Sequence, residues 1–568
     1  MKSIAKTNLF FLFLFFSFLN TEAQTILLNQ VGYKPNSNKR AFITTDSDVK
    51  TFQIKNALDN QVVYNGEIST PKYWEYSGTN VSIADFSSLK EPGKYTIVVG
   101  NSSKTITIDN AIYETLGLKS LDSYYLARAS ENILEKYAGI YARPLGHPDD
   151  KVIIHASAAS DKRPEGSLIS SPSGWYDAGD YNKYIVNSAI SVYTLLQLYE
   201  LYPEYSNKLK LKIPENSNQV PDLLDEILVN LRWMLTMQDP NDGGVYHKLT
   251  TKNFCGMIMP QEDKLDRYVV MKSTAASLDF AATMSKAYRI FSKYEKNYPG
   301  LANTFLIAAK NAWTWAQKNP NVLYIQPKDI TTGQYDDNFI EDEKYWAAIE
   351  LYLSTKNTDY LTNLQVNQQI RNPNWFQVES LGAFSLVTNS EKIKDPKTIE
   401  KVDLIKQNLL KTADKLYKTH EESAFKISMD SFAWGSNSDL ANQGVLLIHA
   451  YSITGEKKYL KAAEDCLHYI LGSNPLNICF ATSFGENSPK HIHDRRSSAD
   501  KIDAPIPGLL VGGPTKASRT DCGEINYKSS FPALSYADLE CSYSTNEIAI
   551  NWNAPLAFLV NAINATNK

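Results

Sequence analysis

The stretch from Ser173 to Leu201, SGWYDAGDYNKYIVNSAISVYTLLQLYEL, joins a tight pair of carboxylates to the start of a long helical pattern. Asp177 and Asp180 are separated only by an alanine and by Gly179, which permits backbone angles that other residues resist. From Asn182 onward, apolar residues recur at helical spacing. The stretch therefore predicts an acidic site, open to close approach by a ligand, directly before a helix.

Three aromatic residues, Trp175, Tyr176 and Tyr181, flank the two carboxylates. Sugar rings stack on flat apolar faces while their hydroxyl groups hydrogen-bond to carboxylates, so this combination predicts a carbohydrate site in which Trp175 and Tyr176 contact substrate. A second interpretation stays open at this point, because Asp-x-x-Asp also arises as a helix N-cap with a favourable first-turn acid.

Helical patterns continue through most of the chain after Ala111, separated by loops rich in Pro, Gly and Asn. The predicted helices are Leu116–Tyr137, Asn182–Leu201, Val220–Met237, Ser273–Tyr294, Leu301–Gln317, Glu343–Ser354, Asp359–Leu364, Glu379–Val387, Ile399–Tyr417, Leu440–Ile453, Lys457–Leu471 and Glu547–Ala565. Almost no strand pattern lies between them. Such a body, residues 110–568, indicates a closed barrel of helical hairpins or an α-solenoid, and periodicity does not distinguish the two.

The segment before this body shows short alternating runs broken by turns, such as Arg40–Thr44 and Lys94–Val99. These runs predict the strands of an antiparallel sandwich over residues 24–109. The sandwich contains no cluster of His, Cys or paired acids, so we expect it to pack against the helical body and to have a structural role.

The N-terminus has the pattern of a secretory leader over residues 1–23. Lys2 and Lys6 precede the apolar run Leu9–Leu19, which is followed by the small-x-small sequence Thr21–Ala23. The run is short for a membrane span, and no later segment has the length and apolarity of one. We expect a protein that is secreted or periplasmic after cleavage of the leader.

The composition narrows the classes of partner. The chain has 568 residues, of which 43% are hydrophobic and 21% charged, as is ordinary for a globular protein. Its net charge of −4 offers no basic field for nucleic acid. We therefore expect no nucleic-acid partner, no membrane span and a monomer.

Five cysteines make a sparse, odd set for an oxidising compartment. Their spacings match no Cys-x-x-Cys zinc pattern. Buried free thiols are the default expectation, and Cys522 with Cys541 is the one pair for which we expect that a disulfide could form.

Between Cys479 and Asn546 the chain has no long helical pattern, although it is rich in polar and aromatic residues. Long irregular segments in compact domains are usually functional. His491 and His493 could form a metal pair, but no third ligand with zinc spacing is evident. His493 with Arg495 instead suits the binding of sugar hydroxyls by fixed donors.

Glu547 follows Tyr543 and precedes an apolar helical run. The sequence Ser544–Glu547 has the form of a capping box, which would give this residue a purely structural role. A glutamate among apolar and aromatic neighbours would also be partly desolvated, and desolvation raises a carboxyl pKa as a general acid requires.

Four motifs in order resemble glycoside hydrolase family nine, the family of many bacterial and plant cellulases, in its subgroup with an N-terminal immunoglobulin-like domain. Leu28–Tyr33 is similar to the opening of that domain, and Gly174–Asp180 to the motif that holds the nucleophilic water. Gly485–Arg495 and Tyr536–Ala554 are similar to the family's histidine and acidic signatures. The similarity spans nearly the whole chain after the leader.

This resemblance implies an all-β immunoglobulin-like sandwich followed by an all-α (α/α)6 barrel, and inverting cleavage of β-1,4-linked glucans. It makes Asp180 the general base, Asp177 a holder of the attacking water and Glu547 the general acid. The physical argument agrees, because inversion needs one protonated and one ionised carboxyl with room for water between them.

The resemblance also implies binding roles. His493 and Arg495 would contact sugar hydroxyls near the cleavage point, and Asp538 and Tyr543 would complete the substrate site, with Asp538 supporting the acid. We therefore expect a β-glucan or an oligosaccharide as the ligand.

The chain departs from its relatives at their metal sites. No Cys lies in the segment Gly146–Ala159, where several relatives carry a Cys and His zinc site, so zinc is not expected. Relatives bind calcium beside a pair that resembles Asp342–Glu343, but the Ser-Gly expected before it is Asn338–Phe339 here. Calcium is therefore doubtful, and no cofactor is expected to be required.

Two alternatives to an endo-acting glucanase remain. Asp494 stands where many cellulases have a second histidine, and the subgroup includes exo-acting enzymes, so an exo-β-glucosidase or exo-β-glucosaminidase of the same fold is one. A non-catalytic glycan-binding protein is the other. The joint presence of Asp177, Asp180 and Glu547 argues against it, since pure binding needs no acid and base.

Overall fold

The N-terminal domain is a two-sheet antiparallel sandwich, seen in a computed structural model that describes residues 25–44, 49–516, 520–523, 527 and 529–566. Its strands are β1 Thr25–Leu27, β2 Arg40–Thr44, β3 Thr51–Asn56, β4 Val62–Glu67, β5 Lys72–Trp74, β6 Thr79–Asp85, β7 Gly93–Val99 and β8 Ser102–Ile108. One sheet has the order β1–β2–β6–β5 and the other β4–β3–β7–β8. The predicted leader lies outside the described residues.

The alternating runs fold as strands because every second side chain enters the core between the sheets. In β7, Tyr95, Ile97 and Val99 are buried while the residues between them are partly exposed. They meet Ile54 of β3 and Ile106 of β8 in one apolar cluster. The predicted sandwich is confirmed.

The rest of the chain is rich in helices. These are α1 Glu114–Ala127, α2 Glu135–Ala138, α3 Ile185–Leu201, α4 Pro203–Ser206, α5 Asp222–Thr236, α6 Thr274–Phe291, α7 Leu301–Lys318, α8 Glu341–Thr355, α9 Glu379–Thr388, α10 Pro396–Glu422, α11 Ser436–Thr454, α12 Lys457–Ile470, α13 Arg495–Ala499, α14 Tyr543–Asn546 and α15 Ile550–Thr566. None of the helices formed by the described residues is long and apolar enough to cross a membrane.

Most predicted helices lie within a few residues of an observed one, and two do not. The helix predicted over Leu116–Tyr137 ends at Ala127, where Arg128 turns the backbone extended and its guanidinium pairs with Glu226 at 2.8 Å. The helix predicted over Asp359–Leu364 is a single 3-10 turn, Thr358–Leu361. The apolar spacing along the sequence did not indicate where either of these two helices ends.

Six helices, α3, α6, α8, α9, α11 and α15, are buried over most of their length. Contacts run from α15 to α3, α6, α8 and α9 in turn, and α11 packs against α15. Helices α1, α5, α7 and α12 pack mainly on α15, α3, α6 and α11 respectively, and the largely exposed α10 contacts both α9 and α11. The predominantly apolar composition of α3, α9 and α15 is typical of helices that lie inside a domain, whereas α6, α8 and α11 also bury polar or charged side chains.

A small sheet, absent from the prediction, lies before α6. Its strands are β9 Val152–Ile154, β10 Leu168–Ile169, β11 Lys183–Tyr184, β12 Lys248–Thr250 and β13 Tyr268–Val269, in the order β10–β9–β13–β12–β11. Strands of two or three residues are too short to show a period of two. The sheet matters for the site because β11 directly follows Asp180 and its Tyr184 bonds to that residue.

The sandwich packs against the helical domain through aromatic side chains. Trp74 is only 3% exposed and its ring lies 4.7 Å from that of Phe425. The hydroxyl of Tyr76 donates to the carbonyl of Asp430 at 2.7 Å. Trp74 and Tyr76 therefore pack the sandwich against the helical domain.

A buried ion pair reinforces this contact. Arg40 of β2 lies 2.6 Å from Asp465 of α12, and His420 lies 2.9 Å from the same carboxylate oxygen. Burial alone would raise the pKa of Asp465, but Arg40 and His420 hold that pKa well below its usual value. The carboxylate therefore stays ionised and keeps both partners at the boundary.

Replacing Trp74 with Ala should cost about 3–5 kcal/mol of stability, because it leaves a cavity between the domains. Thermal unfolding should show a lower melting temperature, with kcat on a soluble glucan unchanged. Tyr73→Ala, which changes a neighbour that is 56% exposed, is the control and should have little effect. Unchanged stability with lost polysaccharide affinity would instead identify the sandwich as a binding module.

Candidate active site

The Asp177–Asp180 loop lies beside the segment that enters α15. The backbone N–H of Ile550 donates to the carbonyl of Asp177 at 2.7 Å, and Ala178 pairs with Ala549. Helix α3 begins only at Ile185, so the two carboxylates are not helix caps. The N-cap interpretation of this motif is wrong, and the loop instead brings two distant parts of the chain together.

Gly179 is needed for space rather than for backbone freedom. A Cβ atom at this position would lie 2.3 Å from the carbonyl oxygen of His493 and 3.1 Å from Oε1 of Glu547. The residue does not adopt a left-handed φ, whereas Gly174, with φ of 85°, does. The expectation that Gly179 uses backbone angles unusual for other residues was wrong. Its lack of a side chain instead lets the segments of His493 and Glu547 approach it closely.

Asp177 is fully buried and held from two sides. Nδ2 of Asn187 donates to both of its oxygens at 3.0 Å, and the Tyr335 hydroxyl donates to Oδ2 at 3.1 Å. Burial, and then the neighbouring charge of Asp180, raises the pKa of Asp177 well above its usual value. The carboxyl of Asp177 thus favours its protonated form.

Asp180 lines the cavity and is bonded through one oxygen. Its Oδ2 accepts hydrogen bonds from Nδ2 of Asn182 at 2.5 Å and from the Tyr184 hydroxyl at 3.1 Å. No donor among the described residues bonds to Oδ1. That oxygen therefore remains for a water molecule.

A buried lysine lies near this base. Nζ of Lys248 donates to the carbonyl of Gly333 at 2.6 Å and faces the ring of Tyr184 at 5.5 Å. Burial lowers the pKa of Lys248 to about 7, and the charge of Asp180 opposes that shift. The lysine and its neighbours fix the Tyr184 side of the site.

Glu547 comes to the site in extended backbone. It follows the single turn α14 with φ −71° and ψ 155°, pairs with His493 as a parallel bridge, and its carbonyl accepts from Gly512 N–H at 2.8 Å. The predicted capping box is therefore wrong, since α15 starts three residues later at Ile550. The bridge explains how the loop that carries His493 positions the glutamate.

The surroundings of Glu547 favour its protonated form. Burial raises its pKa well above the usual value, the charges of Asp180 and Asp177 raise it further, and Arg495 opposes the shift. A carboxyl that keeps its proton near neutral pH can donate it to a departing oxygen.

A cavity of about 840 Å³ opens over Asp180 and Glu547. Its aromatic lining forms two groups. In one, Trp434 lies 5.7 Å from Tyr543, and in the other the ring of Trp375 lies 5.2 Å from Tyr335 and 4.9 Å from Phe376. Flat apolar faces among carboxylates and amides suit a carbohydrate chain.

Three of the predicted binding residues line this cavity, namely His493, Arg495 and Tyr543. Nδ1 of His493 lies 2.6 Å from the carbonyl of Glu540, which fixes the ring. Arg495 donates to the carbonyl of Gly179 at 2.6 Å and to that of Cys255 at 3.1 Å. The arginine thus ties the base loop to the opposite wall of the cavity.

The other three predicted binding residues lie outside the cavity. Trp175 and Tyr176 are fully buried, and their polar atoms bond to Glu226 at 2.8 Å and to His147 at 2.8 Å. Their rings therefore have no face for a sugar, which corrects the prediction. Asp538 accepts from Nδ2 of Asn546, the residue before Glu547, at 3.0 Å, and so holds the segment that carries Glu547.

Sequence reasoning missed most of the aromatic lining and the partners of the carboxylates. Tyr184 and Asn187 follow Asp180 within seven residues, so a search for donors along the same segment could have found them. Tyr335, Trp375 and Trp434 come from separate loops, and nothing in their local sequence marks them.

A disulfide joins Cys522 to Cys541, with a Cα–Cα distance of 5.2 Å, which confirms the one pair for which a disulfide was expected. Cys255, Cys466 and Cys479 are free thiols. The disulfide closes the loop ahead of Tyr543 and Glu547. Just outside this loop, Asp521 accepts from the N–H of Ser544 at 2.8 Å.

His147 and the Asp342–Glu343 pair stand where the family resemblance placed metal sites. Both ring nitrogens of His147 are engaged, with Tyr176 at 2.8 Å and Asp263 at 3.1 Å, so it is no free zinc ligand. Burial, and then the charge of Asp279, raises the pKa of Glu343 well above its usual value, and oxygens of Asp279, Asp342 and Glu343 are buried without a hydrogen-bond partner among the described residues. No group of three or more His, Cys, Asp or Glu within the described ranges could hold a metal ion.

Comparisons with known proteins agree with this geometry. Residues 113–560 match the model of glycosyl hydrolase family 9, and residues 21–104 match that of the cellulase N-terminal ig-like domain. A xyloglucan-specific endo-β-1,4-glucanase of Bacteroides ovatus is 42% identical, covering 95% of this chain and 94% of the relative. Endoglucanase D of Acetivibrio thermocellus is 33% identical, covering 94% of this chain and 82% of the relative.

Solved structures of family 9 enzymes also resemble the fold of this chain. A Bacteroides ovatus GH9 structure superposes with a TM-score of 0.90 at 41% identity, covering 96% of this chain and 99% of that one. A metagenome-derived glycoside hydrolase family 9 endoglucanase superposes with a TM-score of 0.87 at 33% identity, covering 95% and 99%.

Proposed function

The chain belongs to glycosyl hydrolase family 9 and is a glycoside hydrolase, and from that premise we propose that it cleaves internal β-1,4 bonds of cellulose-like glucans with inversion. The observation that carries the proposal is that Asp180 and Glu547 line one cavity in unlike surroundings. Asp180 has a free oxygen for water, and Glu547 has a raised pKa.

In the proposed reaction, Glu547 gives its proton to the glycosidic oxygen as the bond to the sugar C1 breaks. A water molecule bound at Oδ1 of Asp180 attacks C1 from the opposite face, and Asp180 takes the proton of that water. Water attack on that face inverts the configuration at C1. Two carboxyls and one water complete the reaction, so we propose no cofactor.

Asp177 has a positioning role in this scheme. Asn187 and Tyr335 hold its carboxyl in one orientation, at 3.0 and 3.1 Å. From there it orients the attacking water so that Asp180 can take its proton. His493, Arg495, Tyr543 and Trp434 bind the sugar units on the same cavity wall as Glu547.

For the helical domain we infer an (α/α)6 barrel. Six helices in successive contact, with five further helices packed against them, support an inner and an outer ring. We infer further that the ordered domains meet near residue 109, that the chain is exported by its N-terminal leader, and that it acts as a monomer.

Internal cleavage is favoured by the two aromatic groups of the cavity, Trp434 with Tyr543 and Trp375 with Phe376, which provide sugar-binding faces at two places. Binding several units of a chain is what an endo-acting enzyme needs. An exo-acting glucosidase or glucosaminidase of the same fold is the second candidate, because the relatives at 30–31% identity include a cellodextrinase and a cellobiosidase.

A product profile on xyloglucan, carboxymethylcellulose, cello-oligosaccharides and chitosan oligomers tests the proposal. We expect polymer viscosity to fall early, with mixed oligosaccharides as the first products and no cleavage of chitosan oligomers. Release of monomer from the first minute, at constant viscosity, would contradict internal cleavage. Xyloglucan is the first polymer to test, because it is the substrate named for the relative at 42% identity.

A further inference from the structure

A second pocket of about 330 Å³ lies outside the catalytic cavity, between α7, α8 and the segment that follows α8. We call it the α7–α8 pocket. Its volume is at the small end of the range of about 300–1,000 Å³ that is typical of small-molecule sites. Helix α8, whose first turn lines this pocket, begins shortly after Tyr335, which lines the catalytic cavity, so a short segment of chain connects the two cavities.

An aromatic pair forms one wall of the α7–α8 pocket. Trp313 and Tyr360 meet edge to face, with ring centroids 5.5 Å apart and an interplanar angle of 74°. Both side chains are half-buried. An edge-to-face pair of this kind offers the pocket a fixed apolar surface on which a sugar ring can pack.

Side-chain amides surround this pair. Gln317, Asn363, Gln365 and Gln368 all line the pocket, and within the described part of the chain their side chains form no hydrogen bond. Each amide offers both donors and an acceptor. Free amides around an aromatic ring match the alternating hydroxyl groups and apolar ring face of a sugar.

The charges at the pocket argue against an anionic ligand. Among the described residues that line it, Lys344 is the one cation, and Glu341 and Asp359 are the two acids. A phosphate, a sulfated glycan or a uronic acid would meet net negative charge. An uncharged saccharide meets no such penalty.

We propose that the α7–α8 pocket is a second carbohydrate site, which binds a short stretch of neutral β-glucan through Trp313 and the surrounding amides and so holds the polymer beside the catalytic cavity. The choice of glucan rests on the proposed function, whereas the existence of a site for neutral saccharide does not.

The test uses the full chain carrying Glu547→Gln, to stop turnover, labelled with 5-fluorotryptophan. The Trp313 fluorine signal, assigned with Trp313→Phe, should shift on titration with cellotetraose and separately from that of Trp434. In enzyme with an intact Glu547, Trp313→Ala and the double variant Gln317→Ala/Gln368→Ala should raise KM several-fold on polymeric glucan. On cellotetraose, KM and kcat should stay unchanged.

Tyr73→Ala, which removes an exposed tyrosine of the sandwich, is the matched control and should leave all values unchanged. A Trp313 signal that does not move up to the solubility limit of cellotetraose, in a protein whose Trp434 signal does move, would overturn the site. A moving signal with an unchanged polymer KM would keep the site and remove its role in polymer capture. Failure of the proposed function would look different, because wild-type enzyme would then not cleave glucan at all.

Discussion

Asp180→Asn should lower kcat on glucan and on an activated aryl cellobioside alike, by roughly 10²–10⁴-fold, the usual contribution of a general base. Water must be activated whatever group leaves, so a better leaving group cannot restore the rate. Initial rates on both substrates, with substrate affinity measured by titration, give the result directly.

Asp177→Asn is the matched control, since it makes the same change three residues away. We expect it to fall between wild type and Asp180→Asn, because Asp177 orients water without taking its proton. Melting temperatures should separate lost chemistry from lost structure. Substantial activity in Asp180→Asn would remove this residue from the role of base.

Glu547→Gln should lose roughly 10²–10⁴-fold in kcat on glucan but recover most of the loss on an aryl glycoside with a strongly acidic phenol. The glutamine keeps the shape of the acid and removes its proton. A phenolate of low basicity leaves without protonation, whereas a sugar hydroxyl does not. A plot of log kcat against the pKa of the leaving phenol should therefore become steep in the variant.

The same variant should change the pH profile. Because burial and the nearby carboxylates raise the pKa of Glu547, wild type should stay active well above pH 4.5 and lose activity as pH rises through that pKa. In Glu547→Gln, with the activated substrate, this alkaline decline should disappear. Equal leaving-group dependence in Glu547→Gln and Asp180→Asn would contradict the assignment of acid and base.

The secondary structure was predicted well where a helix is long enough to show several turns of the apolar repeat. Helices such as Ile185–Leu201 and Lys457–Ile470 show enough turns for the apolar spacing to be visible. The prediction missed the strands β9 to β13, because a strand of two or three residues is too short to show alternation. It also missed the end of α1, because that end depends on the ion pair of Arg128 with Glu226, which lies far along the chain.

Asp180 and Glu547, the carboxyls of the proposed reaction, could be selected from sequence motifs, but their immediate settings could not. The capping-box pattern at Ser544–Glu547 is a local signal, and the pairing of Glu547 with His493 overrides it. Trp175 looks like a sugar platform beside Asp177, yet its indole is committed to Glu226. Whether an aromatic ring exposes a face to the cavity depends on tertiary packing, which local sequence does not show.

The anomeric form of the first product tests the central claim most directly. Proton NMR of wild-type enzyme acting on cellopentaose should show the α-anomer at the newly formed reducing end before mutarotation, because water activated by Asp180 attacks the face opposite the departing oxygen. Initial release of the β-anomer would mean that a carboxylate attacks the sugar itself, and it would contradict the roles of Asp180 as general base and Glu547 as general acid.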